Sequence, residues 1–201
     1  MPTDPAEILP QLLLGSRLVA QDRGALDQHK ITHVLNTAHE IPNYYEGMDG
    51  NTPVYKHLEL KDDAEDNIQA EFEPCACFID DAVEAGGRCL VHCQAGISRS
   101  ATIVIAYLMC RRNMSLRDAF LHVKSLRENI GPNEHFMAVL AVLEDSLRPP
   151  EERGAPPSLD LNDYYLWTLC DMGFDHNVAR LALEQAQGRF EVAVSFCLTR
   201  R

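Results

Sequence analysis

Long apolar runs are missing from this 201-residue chain: none reaches the roughly 18–20 residues that a membrane-spanning helix needs. The opening Met1-Pro-Thr-Asp-Pro5 also lacks the basic-then-apolar layout of a secretory signal. An intracellular setting is therefore expected, cytoplasmic and also nuclear, with no membrane partner. Positive charge is scarce. Lysine and arginine number 18 against 30 acids, a formal net charge of −12; residues 151–201, with 8 acids and 5 bases, hold −3 and the rest −9. Such a surface disfavours nucleic acid and anionic membranes as partners, although acidity serves solubility equally well. Cys-x-x-Cys pairs are absent too. Seven cysteines, an odd number, with one isolated Cys75-x-Cys77, indicate neither a disulfide framework nor a zinc site. His33, His39, His57 and His135 show no metal-like pairing and read as core or surface residues. No metal or cofactor is called for.

What the chain does carry is concentrated in Arg88–Ser100 and the apolar run Ala101–Met109. The short run ending at Cys93 reads as a buried strand, the longer one as a helix enclosed by protein. Between them the loop Gln94-Ala95-Gly96-Ile97-Ser98 feeds a helix N-terminus, whose free N–H groups suit a phosphate. Cys93 stands at the mouth of that ring, where the helix field and the Arg99 guanidinium favour a thiolate nucleophile. Arg99, six residues later, offers a planar fork for two phosphoryl oxygens, a geometry that Lys lacks. Ser100 can donate to the sulfur and make it a better leaving group. The pattern is Cys-x5-Arg-Ser.

The length suits a domain of about 150 residues plus a small module. Ile8–Gly15 reads as an opening strand, Ser16 as the cap of a helix to about His29, Ile31–Ala38 and Val54–Leu60 as strands, and 42–53 as loop. An acidic loop, Asp62-Asp63-Ala-Glu65-Asp66, leads to a helix Ile68–Ala85, ended by Gly86-Gly87. Ser115 caps a helix Leu116–Glu128, and Pro132-Asn133 opens another to about Leu147. Arg111 and Arg112 complement the dipole of the helix they end. Arg127 either shapes the rim of the site or makes a surface salt bridge, the second being preferred. His92 could be mistaken for a general base, but strand alternation turns it away from Cys93. The division expected is 1–148, a Pro-rich linker 149–159, and three short helices over 160–201.

His92-Cys93-Gln-Ala-Gly-Ile-Ser-Arg99-Ser100, followed by Ala106-Tyr107-Leu108-Met109, resembles the signature of the cysteine-based dual-specificity protein phosphatases. The likeness extends to Ile31–Asn36 and Asn129–Asn133 and covers roughly residues 7–148. It implies an α/β fold, a compact sheet flanked by helices, and a cysteinyl-phosphate intermediate held by residues 94–99. It also implies an Asp some thirty residues before the cysteine as proton donor. Asp62, 31 residues before Cys93, fits that register better than Asp63, while Glu65 and Asp66 read as helix-dipole charges. In such proteins the residue at His92 fixes the loop's backbone. Phosphorylated proteins are the implied substrates; loops of phosphoinositide phosphatases carry Lys where this one is neutral. RNA, lipid or glucan phosphates and a pure binding role are the alternatives.

The C-terminal segment, with Met172-Gly173-Phe174, Ala182-Leu183 and Val192-Ala193-Val194, resembles a ubiquitin-associated domain, a small three-helix bundle. The resemblance implies an apolar ubiquitin-binding patch from Met172, Gly173, Phe174 and Leu198, although Met172 and Phe174 also suit the local core. A generic bundle without ubiquitin affinity, or one that packs on its own phosphatase domain, is the alternative.

Overall fold

The computed structural model describes residues 4–48, 50, 52–63 and 66–199, and the chain divides into two compact units, Met1–Arg153 and Gly154–Arg201. The division falls inside the Pro-rich stretch. The first unit is built on a five-stranded sheet: β1 Ala6–Leu9, β2 Leu12–Ser16, β3 His33–Asn36, β4 Val54–His57 and β5 Cys89–Cys93, in the order β1-β2-β5-β3-β4. β1 runs antiparallel to β2; every other pairing is parallel. The central strand β5 is buried along its whole length, as a two-sided run of Cys, Leu, Val and His must be.

Side-chain alternation along β5 sends Leu90 to one face and Cys89 and Val91 to the other. On Leu90's face the short helices α1 Arg17–Ala20 and α2 Arg23–Gln28 close a core with Leu13, Val19, Leu26, Ile31 and Val34. Four helices, α3 Phe72–Glu84, α4 Arg99–Arg112, α5 Leu116–Leu126 and α6 Glu134–Leu147, complete the unit. The helix α4 is its axle. It packs against α3, α5, α6, β2 and β5, and residues 99–109 are all buried. Ile103, Ile105 and Leu108 are no more than 1% exposed, so truncating any of them to Ala costs roughly 2–5 kcal/mol.

Several elements differ from the sequence expectation, each for a local reason. Ile8–Gly15 is a hairpin rather than one strand, because Pro10 has no N–H for a ladder and turns the chain with Gln11; Leu9 faces Leu12. The helix expected over 16–29 is two, since Asp22 restarts it by accepting the Ala25 N–H at 3.1 Å, while Ser16 makes no side-chain cap. Ile68–Glu71 is a 3-10 turn before α3, and another, Pro150–Glu152, lies in the expected linker. Arg111 does more than face a dipole: it pairs with Glu73 and Asp80 of α3, both at 2.6 Å. The carboxylate of Asp66 folds back onto the Lys61 N–H rather than serving a helix end. Glu65 lies outside the described residues.

The second unit consists of α7 Leu161–Asp171, α8 His176–Gln185 and α9 Phe190–Leu198. Asp160 and Asp175 cap α7 and α8 through their carboxylates. Met172-Gly173-Phe174 ends α7 as a Schellman motif: Phe174 N–H reaches Leu169 O at 3.2 Å and Gly173 N–H reaches Cys170 O at 2.9 Å. Gly173 sits at φ +85°, and the motif folds Phe174 inward, to 7% exposure. Phe174 is therefore core, not surface, which corrects its place in the expected patch. Met172 and Leu198 are exposed.

The same motif ends α2, where Ile31 N–H meets Leu26 O and Lys30 N–H meets Asp27 O, but the left-handed position is Lys30 at φ 53°. Lys30 is exposed and a side chain there is strained. Lys30→Gly is expected to raise stability by about 0.5–1 kcal/mol, read as a higher urea midpoint. An unchanged or lower midpoint contradicts that account.

Candidate active site

The loop from Cys93 to Arg99 is shaped from outside by its carbonyls. Gln94 O accepts from the Arg17 N–H at 3.3 Å, Ile97 O from Gly131 N–H at 2.9 Å, and Ser98 O from the Thr102 N–H at 2.9 Å. Ala95 O and Gly96 O accept from the Arg127 guanidinium, through Nη2 at 3.0 Å and Nε at 2.9 Å. Because a trans peptide holds its N–H opposite its C=O, fastening five successive carbonyls outward turns the following amides inward. Gly96 is required twice over. Its φ is +71°, and a Cβ there would lie 2.4 Å from Gly15 O and 2.7 Å from Arg127 Nη2.

Arg127 is thus neither a rim residue nor a partner in a surface salt bridge. It is 4% exposed and lies behind the loop, where burial lowers its pKa and the neighbouring Cys93 opposes that. The expectation failed because both its acceptors are backbone carbonyls, which leave no mark in a sequence.

Cys93, 2% exposed, receives two hydrogen bonds on sulfur: Gly96 N–H at 3.3 Å and Ser100 Oγ at 3.2 Å. Ala38 and Ile41 pack around it, with Tyr44 partly buried against them. Beneath the loop, the His92 carbonyl accepts both the N–H and the hydroxyl of Thr37, at 2.9 and 3.0 Å. Burial holds the His92 imidazole down, at about 4, with a hydrogen bond to the Cys93 backbone opposing, so the ring is neutral at neutral pH.

Arg99 is 5% exposed and gripped by a residue that sequence reasoning missed. Glu40 accepts Nη1 at 2.7 Å on Oε2 and Nη2 at 2.6 Å on Oε1, and Leu60 O takes the second Nη1 hydrogen at 2.9 Å. What is left is one edge of the guanidinium, Nε–H and one Nη2–H, for a ligand. The only available signal was that a buried Arg needs a carboxylate, and Glu40 stands 59 residues away in a loop. Those Arg99 hydrogen bonds hold the Glu40 carboxyl at about 2, against the cost of its partial burial.

Asp62 completes the ring of groups. Its Oδ1 accepts from Ser98 Oγ at 2.6 Å and from Asn133 Nδ2 at 2.8 Å, and its Oδ2 lies 4.0 Å from Arg99 Nε. Among the described residues no group of three His, Cys, Asp or Glu is placed to hold a metal ion.

A cysteine at the end of a parallel strand, a loop whose carbonyls are fastened outward, a buried arginine and an aspartate beside it are the arrangement of the cysteine-based phosphatases. The chain belongs to the dual specificity phosphatase family: the model of the dual specificity phosphatase catalytic domain matches residues 12–146. A UBA/TS-N domain model matches residues 166–196. Human dual specificity protein phosphatase 1 is 42% identical over 155 residues, covering 76% of this chain and 41% of that protein. Human dual specificity protein phosphatase 2 is 46% identical over 140 residues, covering 70% of this chain and 43% of that one. The chain thus spans less than half of either relative. Among solved structures, human DUSP28 superposes with a TM-score of 0.67 at 33% identity, covering 74% of this chain and 98% of that one.

Glu40 makes acid stability a direct readout of the Arg99 clamp. Its folded-state value of about 2 lies below the ordinary 4.5, so the stability it contributes is present above pH 4.5 and lost as pH falls toward 2. Glu40→Gln is expected to be less stable at neutral pH and to lose less between pH 4.5 and 2 than the wild type, by urea unfolding at each pH. Parallel losses in the two proteins contradict the clamp.

Proposed function

We propose that this chain is an intracellular, cysteine-dependent phosphomonoesterase acting on phosphotyrosine and on phosphoserine or phosphothreonine in proteins, with a C-terminal module that binds ubiquitin. The observation that carries the enzymatic part is the grouping on one loop: two donors on the Cys93 sulfur, the free edge of Arg99, and the carboxyl of Asp62 4.0 Å from that edge.

In the first step the Cys93 thiolate attacks phosphorus, the bond to the leaving oxygen breaks, and Asp62 gives that oxygen its proton. The equatorial phosphoryl oxygens lie against the inward amides of residues 94–99 and the Arg99 edge, which stabilise the charge that moves onto them. Ser100 steadies the sulfur as a leaving group when water, deprotonated by Asp62, releases phosphate in the second step. Ala38 and Ile41, both buried, keep the surroundings of Cys93 apolar, with the half-buried Tyr44 packed against them. The neutral loop side chains and the net charge of −12 disfavour polyanionic substrates.

Phosphate release from phosphotyrosine and phosphothreonine peptides tests this directly. Cys93→Ser is expected to abolish turnover while still binding phosphopeptide, and Asp62→Asn to slow it by about 10²–10⁴-fold. Residual turnover by Cys93→Ser at the wild-type rate rejects the nucleophile.

The ubiquitin part is supported by the domain match over 166–196 and by the exposure of Met172 and Leu198. Titration of ubiquitin into the full chain should give saturable binding that Leu198→Glu removes without shifting the unfolding temperature. Equal affinity in the variant rejects this patch.

A further inference from the structure

Asn133 does two jobs with one amide. Its Oδ1 accepts the Phe136 N–H at 2.9 Å and so caps α6, while its backbone N–H donates to Ser98 Oγ at 3.1 Å. With Oδ1 committed to the cap, the amide has one orientation, and Nδ2 must face the other way. There it donates to Asp62 Oδ1 at 2.8 Å, beside the Ser98 hydroxyl that donates to the same oxygen at 2.6 Å. One oxygen of Asp62 is therefore filled by two donors. The other, Oδ2, is the one near Arg99 Nε.

We propose that Asn133 is a positioning residue for the proton donor: together with Ser98 it saturates Oδ1, confines the transferable proton to Oδ2, and aims Oδ2 at the leaving oxygen. This rests on the phosphatase reading above. In the step concerned the Sγ–P bond forms as the P–O bond to the leaving group breaks, and the Oδ2 proton passes to the departing oxygen. The carboxylate left behind keeps both donors on Oδ1, ready to take a proton from water. A leaving group that departs as a stable anion has no need of that proton; a poor one does. Losing the Asn133 donor thus penalises poor leaving groups selectively, whereas damage to the loop or to α6 penalises all alike.

Asn133→Ser separates the two jobs, because Ser is a good helix cap but is too short to reach Asp62. Full-length wild type, Asn133→Ser, Asp62→Asn and the double variant are compared by kcat/KM on phenyl phosphate and on 2,4-dinitrophenyl phosphate. The phenyl-to-dinitrophenyl ratio is expected to fall by about tenfold in Asn133→Ser, part of the full general-acid effect, and to fall no further when the change is added to Asp62→Asn. Asn133→Asp, which keeps the cap and draws the proton onto Oδ1 between the two carboxyls and away from Oδ2, is expected to lower the ratio as well. It serves equally if the Ser variant unfolds. Equal slowing of both substrates, or the same fall in the Asp62→Asn background, overturns the proposal. Failure of the wild type to turn over dinitrophenyl phosphate overturns the phosphatase reading and this inference with it.

Discussion

Everything in the first unit depends on which way five peptide groups point. A loop of alternating peptide orientation would have no binding character, since each inward amide would be cancelled by an inward carbonyl. Here the carbonyls of residues 94–98 are each taken by a donor outside the ring, from α1, α4, Arg127 or Gly131. The amides are thereby aimed before any ligand arrives, which is what electrostatic preorganisation requires.

Two carboxylates approach Arg99, and their geometry separates their work. Glu40 binds Nη1 and Nη2 together, at hydrogen-bonding distance, and fixes the plane of the guanidinium. Asp62 stands off at 4.0 Å from Nε and is tied instead to Ser98 and Asn133. A charge-assisted fork makes Glu40 a permanent acceptor with no proton to offer. The looser placement leaves Asp62 Oδ2 outside hydrogen-bonding distance of Arg99.

Legibility followed distance along the chain. The placement of Cys93, Arg99 and Ser100 could be read because it is set by one loop and the helix behind it, and the sheet and helices of an α/β unit follow from periodicity. Glu40, Arg127 and Asn133 could not, since they meet their partners across 59, 31 and 71 residues, and two of the three contacts involve backbone or a cap already explained locally. Pro10 was a readable turn signal hidden inside an apolar run. Phe174, open in sequence between a binding patch and the local core, is turned inward by the local logic of a helix end.

The fastenings of the loop also have an order in time. Arg127, Gly131 and Asn133, which hold the loop and its acid, all come from the segment joining α5 to α6. Synthesis makes Cys93 and Arg99 before that segment exists. Cys93 gains its setting only once that segment is made and folded, so the loop stays unfastened until most of the unit is complete.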